Sequence, residues 1–460
     1  MKPQSLKTMI SFGMAELQFA FFSFALGQYL LLFYETEVSL GIWYLTLGYI
    51  IYALWNAIND PLVGFLTDNP RNYWKRWGKR FPLIIIGSIP FVFLIVFIFS
   101  PPNWNPDTQP WFYFVWFVLS TCFFDTFYSI VQTSHLAQYP DIFRLDDDRR
   151  KAGGIAMALG LIGTALGALI PGFIVVFYVK ESYAQMAWVV AIVGFITFLT
   201  YIYGHRESEG LKLSYYEREE EKESFISLLK IIFKHKNFMV VMMIFFLDSI
   251  IGASLTASIS YIVKYDLKMD PIIASVVLAG FLLGALGSMI FWLRYAQQLN
   301  NNRKMLIIGV FLNTIFLFPL IFAWNLFSLL LGVILLGIGG GALRIGRNPV
   351  IADVIDEAVV KTGTKIEGSL MGIYTFFNRL ALIAQGFIFA IVHELTGFNP
   401  DVSDQTFLAL LGIRIHTALI PMILCLLGLI IFVKVYDLTP ERTMDIQALL
   451  KAEGMQKDQK

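Results

Sequence analysis

The sequence predicts an all-α membrane protein of about twelve transmembrane helices, arranged as two pseudo-symmetric six-helix bundles. Three observations predict it. Of 460 residues, 57% are hydrophobic and only 15% are charged, with a mean hydropathy of +0.65, whereas a soluble domain carries roughly 25% charged residues. Apolar runs of about twenty residues, the length that crosses a bilayer, recur with short breaks. A charge-dense stretch then divides those runs six and six. The net charge of +1 supplies no basic field for nucleic acid.

The first six runs cover 9–33, 40–66, 82–100, 111–138, 152–178 and 185–203. Lys2 and Lys7 precede a run long enough to span, so it reads as a helix and not as a cleavable leader. A polar stretch at 204–237 carries EREEEKES at 217–224. Six further runs cover 238–262, 271–293, 304–323, 325–344, 367–392 and 406–435. The tail is polar, and Ile446, Leu449 and Leu450 give it a weak amphipathic pattern that suits a helix lying on the membrane surface or on the protein. The plan is thus an N-terminal bundle at 1–203, a linker at 204–237, a C-terminal bundle at 238–436 and a tail at 437–460.

Orientation follows from lysine and arginine in the short loops. The loop after the second span holds Arg71, Lys75, Arg76, Lys79 and Arg80, and the one after the fourth holds Arg144, Arg149, Arg150 and Lys151. The connections at 34–39 and 101–110 hold neither residue type. Alternate loops therefore face the cytoplasm, as do both termini and the linker, in a protein expected in the plasma membrane. The halves echo one another as well: YPDI at 139–142 closes span four, IADV at 351–354 follows span ten, and spans two and eight both end in basic loops. Duplicated six-span halves joined by a cytoplasmic linker are the layout of a secondary transporter.

Ionisable side chains inside spans are costly and mark function by default. On span two, Tyr52, Asn56, Asn59, Asp60 and Gly64 fall at spacings that share one helical face. Pro61 frees a backbone carbonyl near that face. Carboxylate, amide oxygens and free carbonyls suit Na⁺ or a proton carrier; the plainer reading has Asp60 pairing with a neighbouring helix. Span four repeats the stripe with Asp125, Tyr128, Gln132 and His135. Counted from the span ends, Gln132 lies near the level of Asn56 and Asp60, and Asp125 about two turns further out. His135 reads as a helix-end hydrogen-bonding residue and not as a metal ligand, since no second histidine is near it.

Asp60, Asn56 and Gln132 therefore form the expected cation site. Glu16 in span one, Asp248 in span seven, and Asn378 and Arg379 in span eleven join Tyr52, Asn59, Asp125 and Tyr128 as expected cavity or coupling residues. Arg379 has the plainer alternative of clamping the halves together. Gly64, Asp68 and Arg80, with Asp353 and Asp356 at the matching place in the second half, form an expected cytoplasmic gate, in which Asp68 would accept from a helix N-terminus. Cys122 and Cys425 each lie inside an apolar run, which predicts neither disulfide nor metal site. No nucleophile–base pair or metal set lies at one membrane face, so no enzyme and no cofactor beyond a coupling ion is expected.

WNAINDPLVGFLTDNPRNYWKRWGKRFPL at 55–83 resembles the span-two signature of the glycoside–pentoside–hexuronide:cation symporters, the melibiose-permease-like branch of the major facilitator superfamily. ADVIDEAVVKTGTKIEGSLMGIYTFFNR at 352–379 resembles the same family's segment from span ten to span eleven, and GFNP at 397–400 and VYDLTPERTMDIQALL at 435–450 resemble its outer loop and C-terminal stretch. The resemblance implies the major facilitator fold and symport of a sugar- or glycoside-like solute with H⁺ or Na⁺ by alternating access. It also exposes departures. Of three cation-binding aspartates one matches Asp60, while the others fall on Asn56 and Gln132. The sugar-binding acid of span one falls on Ala20, the arginine of span five on Met157 and the stacking aromatic on Leu136; the basic residue of span eleven is kept as Arg379. A single carboxylate can be neutralised by one proton or one Na⁺. Loss of sugar contacts makes an amphiphile such as a lysolipid a rival substrate, as the family's animal relatives imply. A sensor that binds solute without moving it is the rival of another class. A small-molecule substrate and the lipid bilayer are the expected partners, with no nucleic acid, and a monomer is expected.

Overall fold

Within a bilayer every backbone N–H and C=O must be satisfied inside its own segment, so the apolar runs become helices. A computed structural model describes residues 3–68, 77–208, 235–362 and 367–452, without the side chains at 57, 60–62, 64–68, 146, 362, 367–376, 378 and 451–452. The first half comprises α1 (Leu6–Leu32), α2 (Ile42–Asp68), α3 (Phe81–Ile98), α4 (Pro110–Ile142), α5 (Asp146–Leu169) and α6 (Lys180–Tyr201). The second comprises α7 (Lys236–Tyr261), α8 (Pro271–Leu299), α9 (Asn302–Ile321), α10 (Leu326–Thr362), α11 (Glu367–Thr396) and α12 (Phe407–Val435), followed by a short α13 (Pro440–Ala452). Among the described residues eleven of the twelve long helices are apolar enough to cross a membrane; the other, α2, contains residues outside the description.

Local chemistry sets several starts. Ser5, Asn301 and Thr406 cap α1, α9 and α12, each side-chain oxygen accepting a backbone N–H three residues on. Several helices outrun the apolar stretches that predicted them: α10 continues from the expected 344 to Thr362, α8 from 293 to Leu299, and α4 and α11 by about a turn, to Ile142 and Thr396. Hydropathy reports only the membrane-buried part of a helix, whereas backbone hydrogen bonding carries the polar continuation onward.

The chain forms two compact units, one taking in Met1–Glu220 with Lys268–Val276 and Asn399–Asp404, the other Glu221–Leu267, Val277–Phe398 and Gln405–Lys460. In the first, α1 packs on α5 and α6, and α3 on α4 and α6. In the second, α7 packs on α11 and α12, and α9 on α10 and α12. Shifting each number by six turns one pattern into the other, which is the three-dimensional counterpart of the sequence echoes.

The α1–α5 contact depends on backbone proximity. A Cβ at Gly163 would stand 2.1 Å from the carbonyl oxygen of Leu17, closer than atoms can approach. Gly163→Leu is expected to push α1 from α5 at a cost of about 3 kcal/mol or more, read as a lower melting temperature in detergent; an unchanged value would mean that the two helices do not rely on this approach.

The tail lies on the protein. Ile446 and Leu450 of α13 are buried against Val354, Ala358 and Phe432, while Leu449 stays exposed. Asp437 anchors the connection, meeting Lys236 Nζ at 2.5 Å, Asn237 Nδ2 at 2.8 Å and Arg442 Nη1 at 2.7 Å. Burial alone would raise its carboxyl, but these donors hold it well below the usual carboxylate range. The anchor therefore contributes stability at neutral pH that is lost only under strongly acid conditions.

Candidate functional site

The first unit holds two polar assemblies. In one, α2 and α4 face each other through hydrogen bonds. Tyr52 donates its hydroxyl to Asp125 Oδ1 at 2.8 Å, Asn59 Nδ2 lies 3.5 Å from Asp125 Oδ2, and Trp55 Nε1 donates to Thr126 Oγ1 at 3.0 Å. Asp125 is only 2% exposed. A carboxylate so far from water needs donors, and α2 supplies them from positions two turns apart on one face. These contacts bracket Asn56, so Asp125 lies level with it, about two turns deeper than counting from the span ends predicts. Gln132 is correspondingly about two turns deeper than Asn56 and not level with it, and Asp60 falls between the two levels. Asn56 donates Nδ2 to the Tyr52 carbonyl at 3.0 Å, and its buried Oδ1 receives no hydrogen bond among the described residues. An orphaned amide oxygen one helical turn from Asp60 is an acceptor available to a cation. Gln132, two turns along α4 from Asp125, is half-buried, as is Tyr128, whose ring meets Phe19 edge-on and lies tilted against Phe91. The side chains of Asp60, Gly64, Asp68 and Asn378 lie outside the described residues.

The second assembly gathers at the linker end of the same unit. His135 does have a histidine neighbour, its Nδ1 lying 2.8 Å from Nε2 of His205; this corrects the premise that none is near, while the contact is of the hydrogen-bonding kind expected of His135. Seventy positions separate the two, and the end of α6 brings them together. His135 Nε2 lies 3.2 Å from Glu16 Oε1. Beyond His205, the buried Glu207 accepts from the backbone N–H groups of Lys79 at 2.8 Å, Arg80 at 2.9 Å and Phe81 at 3.1 Å, and from Gln138 Nε2 at 2.7 Å. Those N–H groups are the unsatisfied start of α3, where the helix dipole also favours a carboxylate. Gly78 has φ +94°, and a Cβ there would stand 2.3 Å from Glu207 Oε2. The glycine of WGKR thus lets the loop close over the acid.

Arg80, an expected gate residue, is buried and meets Glu207 through its backbone. Sequence reasoning missed Glu207, which sits in what reads as plain linker. Glu207→Ala would leave three buried N–H groups without partners, at about 2–4 kcal/mol. The expected result is a clear fall in melting temperature, with Glu207→Gln intermediate; an unchanged Tm in the alanine variant would rule out the capping role.

In the second unit, Asp248 lies 3.8 Å from Arg347, whose guanidinium is 5.6 Å from the Phe245 ring. Arg379 is half-buried. Asp353 accepts from Asn302 Nδ2 at 2.8 Å, and Asp356 is half-buried beside it in sequence. The hub of this region is a residue that sequence reading passed over: buried Glu357 accepts from Asn237 Nδ2 at 2.8 Å, Lys361 Nζ at 2.7 Å and Arg442 Nη2 at 3.1 Å. Arg414 and Asp266, also unforeseen, form an ion pair at the end of α7 remote from the linker.

A membrane-spanning, duplicated fold with buried charges on its helices defines a secondary transporter. Residues 11–440 match the family described as MFS/sugar transport protein, and the chain belongs to that family. It is therefore a transporter of the major facilitator superfamily and not an enzyme, in line with the melibiose-permease-like signature of span two. It is 26% identical to an uncharacterized symporter of Bacillus subtilis, YjmB, over 97% of this chain and 95% of that one. It is 24% identical to a glucuronide carrier protein homolog of Escherichia coli, over 92% and 91%. It is 21% identical to the sodium-dependent lysophosphatidylcholine symporter 1 of Xenopus tropicalis, over 91% and 84%. The nucleoside transporter NupG shares the fold with a TM-score of 0.63 at 13% identity, over 93% of this chain and 99% of that one. The inward-open xylose transporter XylE of Escherichia coli shares it at 0.62 and 15%, over 96% and 99%.

Proposed function

We propose that the protein is a cation-coupled symporter of a sugar- or glycoside-like solute, working by alternating access in the plasma membrane with both termini in the cytoplasm and acting as a monomer. The observation that carries this reading is the buried polar seam of α2 and α4, where the Asn56 oxygen, one turn from Asp60, has no partner among the described residues. Asp60, Asn56 and Gln132 hold the H⁺ or Na⁺. Asp125 with its donors Tyr52 and Asn59 braces that seam, and Asp248 and Arg379 serve the second bundle. The carboxylate of Asp60 beside amide oxygens, with Asp125 occupied by its donors Tyr52 and Asn59, suits a monovalent cation. Similarity to a glucuronide carrier homolog supports a glycosidic substrate.

A second reading has its own support. Similarity to lysophosphatidylcholine symporters, together with aliphatic Leu136 and Met157 at the places where the resemblance expects an aromatic and an arginine, favours an amphiphile. Both side chains are more than half exposed in the structure, so an apolar surface is available to an acyl chain. Thermal stability of the purified protein with glycosides, sugar acids and lysolipids, each in Na⁺ or choline at two pH values, separates the two, because a ligand of the folded state raises Tm by mass action. A shift by glycosides that depends on Na⁺ or pH upholds the first reading; a shift by lysolipids alone replaces it with the second.

A further inference from the structure

A neutral imidazole has one N–H and one lone pair, so a run of ring contacts fixes where its protons sit. His205 Nδ1 lies 2.8 Å from the Tyr201 carbonyl oxygen, which can only accept, so Nδ1 carries hydrogen. Complete burial pushes the His205 imidazolium down to about 3, so the ring is neutral and its Nε2 offers a lone pair. His135 Nδ1, 2.8 Å away, must therefore donate. That assignment leaves His135 Nε2 facing Glu16 Oε1 at 3.2 Å. A bare lone pair against a carboxylate would repel. The contact needs one proton, carried either as a glutamic acid on neutral imidazole or as a carboxylate on imidazolium.

We propose that Glu16 and His135 form a single-proton site whose occupancy holds α1 against α4, giving the transporter a proton dependence separate from the ion held at Asp60. The transport aspect rests on the symport reading above; the proton site does not. The ring cannot turn away, since His135 stacks on Phe12 at 4.2 Å and meets the edge of Phe19 at 5.6 Å. Glu16 can move, because its side chain is 36% exposed against 2% for His135. Loss of the proton therefore releases Glu16 from the helix opposite. The nitrogens face each other and do not converge on a common point, and among the described residues no cluster suits a metal.

The surroundings leave the proton to this pair. From α4 come His135 and Tyr139, whose hydroxyl is engaged by the Arg149 carbonyl at 2.5 Å. From the end of α6 come Tyr201, bonded to Ser88 of α3 at 2.6 Å, and His205. Glu207 beyond them is held by the N–H groups of Lys79, Arg80 and Phe81. Lys7 of α1 lies over Tyr203 at 4.7 Å, and α5 approaches Glu16 through Gly160.

Only five histidines are present, so ¹⁵N-histidine NMR of the full chain in lipid nanodiscs can follow each ring from about pH 5 to about pH 9. Expected is a constant neutral His205 and a single step at His135 Nε2. In Glu16→Gln, whose amide N–H replaces the shared proton, that step vanishes. Melting temperature follows the same logic: the proton-bound contact stabilises the wild type below the step and is lost as pH rises through it, while Glu16→Gln is flat. A mere structural bond would survive in the glutamine variant without altering any pH profile. A His135 ring that does not change with pH, or a step that persists in Glu16→Gln, overturns the proposal. If the glutamine variant fails to fold, Glu16→Asp must displace the step, and an unmoved step overturns it equally. Uptake of labelled methyl glucuronide into proteoliposomes adds a functional arm, in which wild-type uptake varies across the step and Glu16→Gln uptake does not. If neither protein moves methyl glucuronide, the glycoside reading falls and the NMR result still decides the proton site.

Discussion

Arg414→Leu is expected to destabilise the second unit by about 3–5 kcal/mol, the cost of leaving a buried charge without its partner. The Arg414 side chain is 0% exposed. Its guanidinium donates to Asp266 and to the carbonyl of Ala323, and lies over the Trp324 ring at 3.6 Å. These contacts join the far end of α7, the turn between α9 and α10, and α12. Leucine would fill much of the volume, so the loss isolates electrostatics from packing: Asp266, whose side chain is only 9% exposed, would remain without this cation. The control is the double variant Arg414→Leu with Asp266→Leu, which removes both charges and should recover much of the lost stability. Melting temperatures of the three proteins in one detergent read the cycle. If the single variant melts like the wild type, the pair contributes nothing. If the double variant is as unstable as the single one, the arginine acts through the tryptophan and the carbonyl and not through Asp266.

Arg414 also shows what the sequence makes legible and what it hides. Apolar runs, a central charged stretch and loop arginines are local signals, and each is set by the bilayer itself; the twelve long helices and the paired halves follow from them. The polar stripe of α2 was legible for the same reason, because helical spacing alone puts Tyr52, Asn56 and Asn59 on one face. Partners were not. His205 reaches His135 across seventy positions, and Glu207 caps α3 from a segment that reads as linker, since its neighbours are charged and solvated. Arg414 lies inside the last apolar run, 406–435, and sequence reading passed it over although it is an intramembrane charge of the same kind as Asp248; its partner Asp266 lies in a connection 148 positions away. Long-range pairing turns residues such as His205 and Glu207 from surface groups into buried ones, and nothing in their immediate neighbours announces it. Glu357 escaped notice beside Asp353 and Asp356 because three acids in five positions look alike until Asn237, Lys361 and Arg442 single one out.

Asp60→Asn is expected to bring gradient-driven accumulation down to equilibrium. Among the residues expected to bind the cation, Asp60 alone carries a charge; Asn56 and Gln132 contribute oxygens without it. One cation moving through 100 mV releases about 2.3 kcal/mol, enough for roughly fifty-fold accumulation of a co-transported solute. Asparagine keeps the size and the acceptor oxygen of the side chain but no longer gains a proton or balances Na⁺, so the ratio should fall toward one. Asn56→Asp makes the opposite test. It places a second carboxylate one turn away, restoring the paired acids of the sugar-transporting relatives that span two resembles, and it does so where Asn56 Oδ1 lies buried without a hydrogen bond among the described residues. That variant should favour Na⁺ over choline more strongly than the wild type, because two carboxylates sharing a site repel unless a cation stands between them. Accumulation of a labelled glycoside in proteoliposomes, under imposed pH and Na⁺ gradients in turn, measures both. Full accumulation by Asp60→Asn would remove this residue from coupling and turn attention to Asp125 as the charge that the cation meets.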